Sequence, residues 1–335
     1  MTDMPLTPAV DSATPQDPMR RYILQATGIL LLLLVLALCL SYIGMGACVG
    51  SDRNACGLYR HQLQKIAAAT DIDTAFFGDS SAGNAIDAAH FSTLLGRPAM
   101  NFALNGTMGL PMAYLQMQNL FARVPVRHAV IFLSDESYRH HFEHGAEYFA
   151  AAGKDEPGII FGLSPRTSLD VGIAYVTMLF DADVLHAGFN RLVLGRDDHG
   201  ECRGCDLRDY IQQSDSKKAL DSGDLIKWNG PYKDYAPFLH KIARLCAQYQ
   251  VDCRYMHGPM LQQALDKNPD YAAHVDDMVT KAGLALADPQ PIVIPPDEIG
   301  DALNHVRPDL RPLYTERIYG VLKPWLNQAG AAAQP

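Results

Sequence analysis

No block of like charge interrupts this chain of 335 residues; its 28 basic and 37 acidic side chains are dispersed. A nucleic-acid binder would show a basic face, so that class is excluded. The segment YRHHFEH (138–144) brings His140, His141 and His144 close to Glu143 but lacks HExxH spacing. PPDEIGD (295–301) clusters acids without the alternating oxygen ligands of a calcium loop. Cys202 and Cys205 have no second Cys-x-x-Cys to complete a zinc site. No metal or cofactor is therefore expected. No internal repeat is visible.

The most informative absence is local. Tyr22 to Ser51 contains no charged residue, and ILLLLLVLALCL lies inside it. About 20 apolar residues cross a bilayer as a helix, so residues 22–44 are expected to form a transmembrane anchor. Arg20 and Arg21 just before it hold the N-terminus in the cytoplasm. The expected location is the inner (cytoplasmic) membrane, single-pass, with the bulk of the chain in the periplasm or outside. A cleaved signal peptide is the competing reading, but the apolar run and the tail before it are long for one.

Seven cysteines fit that orientation. Cys39 falls in the apolar run. The others form near neighbours, Cys48 with Cys56, Cys202 with Cys205 and Cys246 with Cys253, and such pairs suit disulfides in an oxidising compartment.

Residues 1–21 read as a cytoplasmic tail, 45–70 as a linker and first helix, and 71–330 as one exported domain. Helix and strand alternate through it, as expected of a mostly parallel sheet covered by helices. Strands are expected in DTAFFG (73–78), RPAMNF (97–102) and RHAVIFL (127–133), with helices over 84–96 and 110–124 between them. After an insertion at about 145–232, read as helices and loops over one sheet edge, the pattern resumes. Helix 234–248, strand 252–257, helix 271–284, strand 291–294 and a last helix near 309–326 follow.

Ligands of open α/β sheets sit beyond the carboxyl ends of the strands. Polar loops fall there at Gly78–Ser81, Asn101–Gly109 and Ser134–His141, and a fourth polar stretch, DEIGDALNH, precedes the last helix. A serine hydroxyl is a weak nucleophile unless an imidazole takes its proton and a carboxylate orients that imidazole. Ser80, His305 and Asp301 are the residues in those loops that could combine in this way. Ser80 as a plain helix cap is the structural alternative.

FFGDSS, then NFALNG, then a late Asp and His before a C-terminal helix resemble the SGNH/GDSL hydrolase superfamily. Within it the chain is similar to membrane-anchored bacterial members that acylate or deacylate surface polysaccharides. The resemblance implies a three-layer α/β/α, flavodoxin-like domain and a serine esterase or O-acyltransferase with no cofactor. It makes Ser80 the nucleophile, His305 the base and Asp301 its orienting acid. The amides of Ser80 and Gly106 form the oxyanion hole, and Asp79, Asn101 and Asn105 support the site. It also implies an acylated cell-surface or cell-wall glycan as substrate and a multi-span membrane acyltransferase as partner.

Two departures stand out. The family's acid lies three residues before the histidine, where this chain has Ala302; Asp301 is four before, with Asp297 and Glu298 as fallbacks. The third block's Asn, an oxyanion donor, is missing from LSDESYRHH, where Ser134 is the available substitute. They leave open a second reading, an eroded domain that binds glycan or scaffolds an export complex. A thiol oxidoreductase using Cys202 and Cys205 is a third.

Overall fold

The computed structural model describes residues 18–44, 53–106, 108–135, 138, 165–195 and 235–331. Helix α1 (Pro18–Gly44) is long and apolar enough to cross a membrane. Its leucines 30–34 are exposed. Helix α2 (Arg53–Ala68) leads into β1 (Ile72–Gly78), whose seven residues are all buried. Helices α3 (Ser80–Ala85) and α4 (Ala88–Leu95) follow, then β2 (Ala99–Asn101), α5 (Gly109–Phe121) and β3 (Val126–Leu133).

Helices α6 (Pro165–Leu179) and α7 (Ala182–Leu194) come from the insertion. The chain then runs through α8 (Tyr235–Tyr249), β4 (Asp252–His257), β5 (Met260–Leu261), α9 (Gln262–Lys267) and α10 (Tyr271–Lys281). It ends with β6 (Ala285–Asp288), β7 (Val293–Ile294) and α11 (Arg311–Ala331).

Among the described residues the main sheet has five strands in the order β2-β1-β3-β4-β6, with every neighbouring pair parallel. Near-continuous apolar runs such as TAFFG and AVIFL suit strands covered on both sides. Phe76, Phe77 and Phe132 have no exposed surface, and each such burial stabilises by about 1.5–3 kcal/mol. Phe76 meets Phe91 edge-on at 4.8 Å, and Phe77 stacks on Phe102 at 5.4 Å. The flanking helices pack as two groups, α3, α4 and α11 together and α2, α5 and α8 together. Because the chain steps from β1 to β2 on one side and to β3 on the other, the order reverses between β1 and β3. Their carboxyl ends form the crevice where ligands bind in such sheets.

Some expected elements differ. The helix expected over 84–96 is split. Asp87 accepts from the His90 amide at 2.8 Å and caps α4 separately, while Gly96, in the left-handed region at φ 70°, ends it. The expected strand 291–294 is not the fifth main strand. Its β-branched residues enter a two-stranded parallel pair, β5 with β7. The fifth strand is β6, whose ALAD sequence carries no β-branched residue and so little strand signal. Helix α10 stops at Lys281 rather than 284, with Gly283 at φ 88°. Of the insertion, α7 packs chiefly along the C-terminal end of α1.

Cys246 and Cys253 are disulfide-bonded and tie the end of α8 to β4. Cys39 is free and exposed. Cys48, Cys202, Cys205, His140, His141, Glu143 and His144 lie outside the described residues, and so does the side chain of Cys56.

Candidate active site

Strand β1 ends in a glycine because its neighbour leaves no room. A Cβ at position 78 would lie 1.8 Å from the Phe132 carbonyl oxygen on β3. The next residue, Asp79, is extended at φ −94° and caps α3, its Oδ1 accepting from the Ser81 amide at 2.9 Å. Ser80 thereby takes the first helical position, where the amide has no partner within the helix.

The six-residue α3 is too short to persist by itself. Side chains, most of them from elsewhere in the chain, hold its carbonyls and that of Ile86 just after it. Asn101 Nδ2 donates to Ala82 O at 3.2 Å and Ile86 O at 3.0 Å. Arg311 Nη2 donates to Gly83 O at 2.9 Å and Ile86 O at 2.6 Å. Asn84 Nδ2 donates to Ser80 O at 2.8 Å. The Thr315 hydroxyl donates to Ala85 O at 3.1 Å and accepts from the Asp87 amide at 2.9 Å.

The histidine arrives on a hairpin-like loop. Arg307 N donates to Glu298 O at 3.0 Å, Gly300 N to His305 O at 2.8 Å, and Ile299 bridges Val306 antiparallel. Residues 301–304 form the turn that these contacts close, and His305 N donates to Ala302 O at 3.1 Å. Asp301 and His305 therefore face each other across a four-residue turn, so the four-residue spacing works. His305 Nδ1 is 2.6 Å from Asp301 Oδ1, and His305 Nε2 is 2.7 Å from Ser80 Oγ. The hydrogen bond to His305 holds the Asp301 carboxyl below its ordinary 3.8. An ionised Asp301 can only accept, so Nδ1 carries the proton and Nε2 accepts from the Ser80 hydroxyl. Ser80 and His305 keep only 7% and 8% of their surface exposed, which makes the site recessed.

Of the fallback acids, Glu298 instead accepts from the Tyr314 hydroxyl at 2.6 Å. Asp297 offers its backbone carbonyl to Arg307 Nη1 at 2.9 Å. Gly106 is half-buried in the loop after β2, and no described residue accepts from its amide. Asn105 is half-buried and its carbonyl accepts from the Met108 amide at 3.2 Å. Asn101 is fully buried and serves α3, its Oδ1 also accepting from the Ala103 amide at 3.0 Å.

Ser134 does not take the missing Asn's place. Its amide and its hydroxyl both donate to Asp79 Oδ2, each at 2.8 Å. Asp79 also accepts from the Ser81 hydroxyl. One buried carboxylate thus joins the end of β1 to the end of β3. Asn304, adjacent to His305, donates from Nδ2 to Ser134 Oγ at 2.7 Å and links the histidine loop to the same cluster. Gly258 lies behind it, where a Cβ would stand 2.3 Å from Ser81 Oγ and 3.0 Å from Ser134 N. Ser134 as a clamp, Asn304 and Gly258 carried no local motif; only the adjacency of β1, β3 and β4 reveals them.

A second histidine–carboxylate pair, His257 Nε2 with Asp276 Oδ1 at 2.8 Å, sits at the end of β4. His257 is fully buried, and that burial lowers its pKa. Its other nitrogen meets the Tyr271 hydroxyl at 3.4 Å, so it braces the interior.

No protein-family model and no curated protein matches this chain.

Proposed function

We propose that this chain is a membrane-anchored serine esterase or O-acyltransferase of the SGNH/GDSL type, built as a three-layer α/β/α domain. It would act on acyl esters, acetyl foremost, of a cell-surface polysaccharide or cell-wall glycan. The observation that carries the reading is His305, which joins Ser80 on one nitrogen to Asp301 on the other. A hydroxyl, an imidazole and a carboxylate in that order are the parts of an acyl-transfer relay.

In the proposed reaction Ser80 Oγ attacks the ester carbonyl carbon while its proton passes to His305 Nε2. Asp301 stabilises the imidazolium. The tetrahedral oxyanion is held by the amides of Ser80 and Gly106. The ester C–O bond breaks, the leaving alcohol takes the proton from Nε2, and an acyl-Ser80 remains. Water or a sugar hydroxyl then attacks, gives its proton to Nε2, and displaces Ser80, which regains the proton. Water yields hydrolysis and a sugar yields transfer. The anchor is assigned to residues 22–44 in the inner membrane, with the catalytic domain outside the cytoplasm. A multi-span membrane acyltransferase would supply acyl groups from the other side, since one helix cannot carry them across.

The test is turnover of p-nitrophenyl acetate by the full chain in detergent, against Ser80→Ala. Equal rates would end the proposal. Release of free acid versus acylated glycan, measured with an added glycan acceptor, separates the two outcomes of the acyl-enzyme.

One observation favours a second reading, a glycan-binding or scaffold domain with little chemistry. Ser134 is committed to Asp79 and cannot replace the third-block donor. Losing one such donor costs about 10²–10³ in rate. Undetectable turnover by the unaltered chain, with glycan binding indifferent to Ser80→Ala, would select it.

A further inference from the structure

We propose that the α6–α7 pair is a second membrane element, embedded in the bilayer leaflet at the C-terminal end of α1 without crossing it. The inference rests on the reading of α1 as a membrane span. Tyr22 and Tyr42, both exposed, bracket the apolar part of α1. They lie 20 residues apart, about 30 Å along a helix, which equals the hydrocarbon thickness of a bilayer and suits interfacial tyrosines. Tyr42 therefore marks one membrane surface.

Helix α7 meets α1 at that surface with the two backbones in contact. A Cβ at Gly44 would lie 1.9 Å from Val184 O, and one at Gly188 would lie 1.8 Å from Leu40 O. Only glycine at both positions allows so close a crossing, the packing that membrane helices favour. The pairing of 184 with 44 and of 188 with 40 makes the helices antiparallel, so α7 runs back along the span. The six residues after Gly188 carry it about 9 Å further, past the level of Tyr42 and alongside the lipid-facing leucines of α1. Its 13 residues span about 20 Å, too short to cross.

On α7 the charged side chains are sorted as this depth demands. Asp181 and Asp183 lie at the end nearest Gly44. Arg191, one turn below Gly188, reaches back so that its Nη1 is 3.5 Å from the Ile43 carbonyl, which keeps the charge at the surface level. Phe189 and Leu192 are 42% and 60% exposed. Along α6 and at the turn just past its end, Leu169, Ile173, Val176 and Phe180 follow one another at spacings of four, three and four, and all are exposed apolar side chains. Val171, on α6, is fully buried in the core of the sheet domain. The helix therefore has an inner face locked to that domain and an outer apolar face, continuous with α1, whose fitting partner is lipid hydrocarbon.

Single-tryptophan additions to the full chain test this in phosphatidylcholine vesicles, with and without brominated acyl chains, after subtraction of the parent's two tryptophans. Leu31→Trp reports the span, Ile173→Trp and Leu192→Trp report the proposed element, and Asp277→Trp reports the aqueous domain. Brominated lipid is expected to quench Trp at 31, 173 and 192 to a similar fraction and to leave 277 bright. A bright Trp at 173 or 192 beside a quenched Trp at 31 overturns the inference while sparing the span. It would mean that water or protein, not lipid, covers that face. A bright Trp at 31 overturns the spanning reading, and the embedding with it.

Discussion

His305 Nε2 stands 2.7 Å from Ser80 Oγ although 225 positions separate the two residues. The contact is held from both ends, because Arg311 and Thr315, at the start of the helix that follows the histidine loop, bond to the carbonyls of the helix that Ser80 begins. In the proposed reaction the two groups act on one proton and so do not contribute independently. Ser80→Ala and His305→Ala are each expected to lower ester turnover by roughly 10⁴-fold or more, and the double variant to lose little beyond either single change. Steady-state rates for the three proteins check this. Multiplying losses would mean that the residues do not act on one proton.

Asp301 offers a test that includes pH. Asp301→Asn keeps the shape but favours the wrong imidazole tautomer, so turnover should fall by about 10³–10⁴-fold. Asp297→Asn should leave it unchanged. The hydrogen bond to His305 depresses the Asp301 pKa below 3.8. A depressed carboxylate pKa stabilises the fold above the ordinary carboxylate range and loses that contribution as the pH falls through the depressed value. Urea midpoints of the parent and Asp301→Asn should differ at neutral pH and converge below pH 3.8. A gap that widens in acid would contradict the pairing.

How much of this could be read from the sequence depends on how local each cause is. Gly78, Asp79 and Ser80 were legible because a strand-to-helix turn needs a residue without a side chain, a cap and a first helical position in that order. The helical hydrophobic periodicity of α5 and α8 was legible for the same reason. The strand β6 was not, since ALAD owes its strand state to pairing with β4 rather than to propensity. Nor was the reach of Asp301. Its spacing departs from the pattern of the family that the sequence resembles, and only the cross-loop bonds at Glu298–Arg307 and Gly300–His305 show that the turn absorbs the extra residue. Ser134 looked like a donor to substrate because the sequence does not reveal which group lies opposite it.

That opposite group, Asp79, is expected to matter more to stability than any hydroxyl around it. It is 1% exposed and accepts from the amides and hydroxyls of both Ser81 and Ser134. Asp79→Ala strands these donors in a buried site and should destabilise the chain by about 3 kcal/mol or more, against about 1–3 kcal/mol for Ser134→Ala. Chemical denaturation of both variants compares them. Equal losses would show that Asp79 does not organise the cluster.

The disulfide should contribute through the unfolded state. Cys246 and Cys253 are separated by seven positions, and closing so short a loop stabilises by about 2–3 kcal/mol in the chain-entropy account. Cys246→Ala with Cys253→Ala should lower the unfolding midpoint accordingly and leave ester turnover unchanged, because the bond ties α8 to β4 at the start of the strand, away from the carboxyl end that carries His257. A turnover loss in the folded double variant would place this staple in the site's support.

Gly258 gives the sharpest structural test, because the tightest of its contacts is with one removable atom. Gly258→Ala puts a methyl carbon where Ser81 Oγ stands, 2.3 Å away. Overpacking of a tight interior typically costs about 1–3 kcal/mol, and here it would also push Ser81 off Asp79 and tilt the helix that begins at Ser80. Ser81→Ala removes the offending oxygen but not the backbone contact at Ser134 N, 3.0 Å away. In the Ser81→Ala background the further change Gly258→Ala should therefore cost less than it does in the parent, by a coupling of about 0.5–3 kcal/mol. Denaturation midpoints of the four proteins close the cycle. Simple additivity would mean that the strain falls on the β3 backbone, and the loss of turnover should then track Ser134 rather than Ser81.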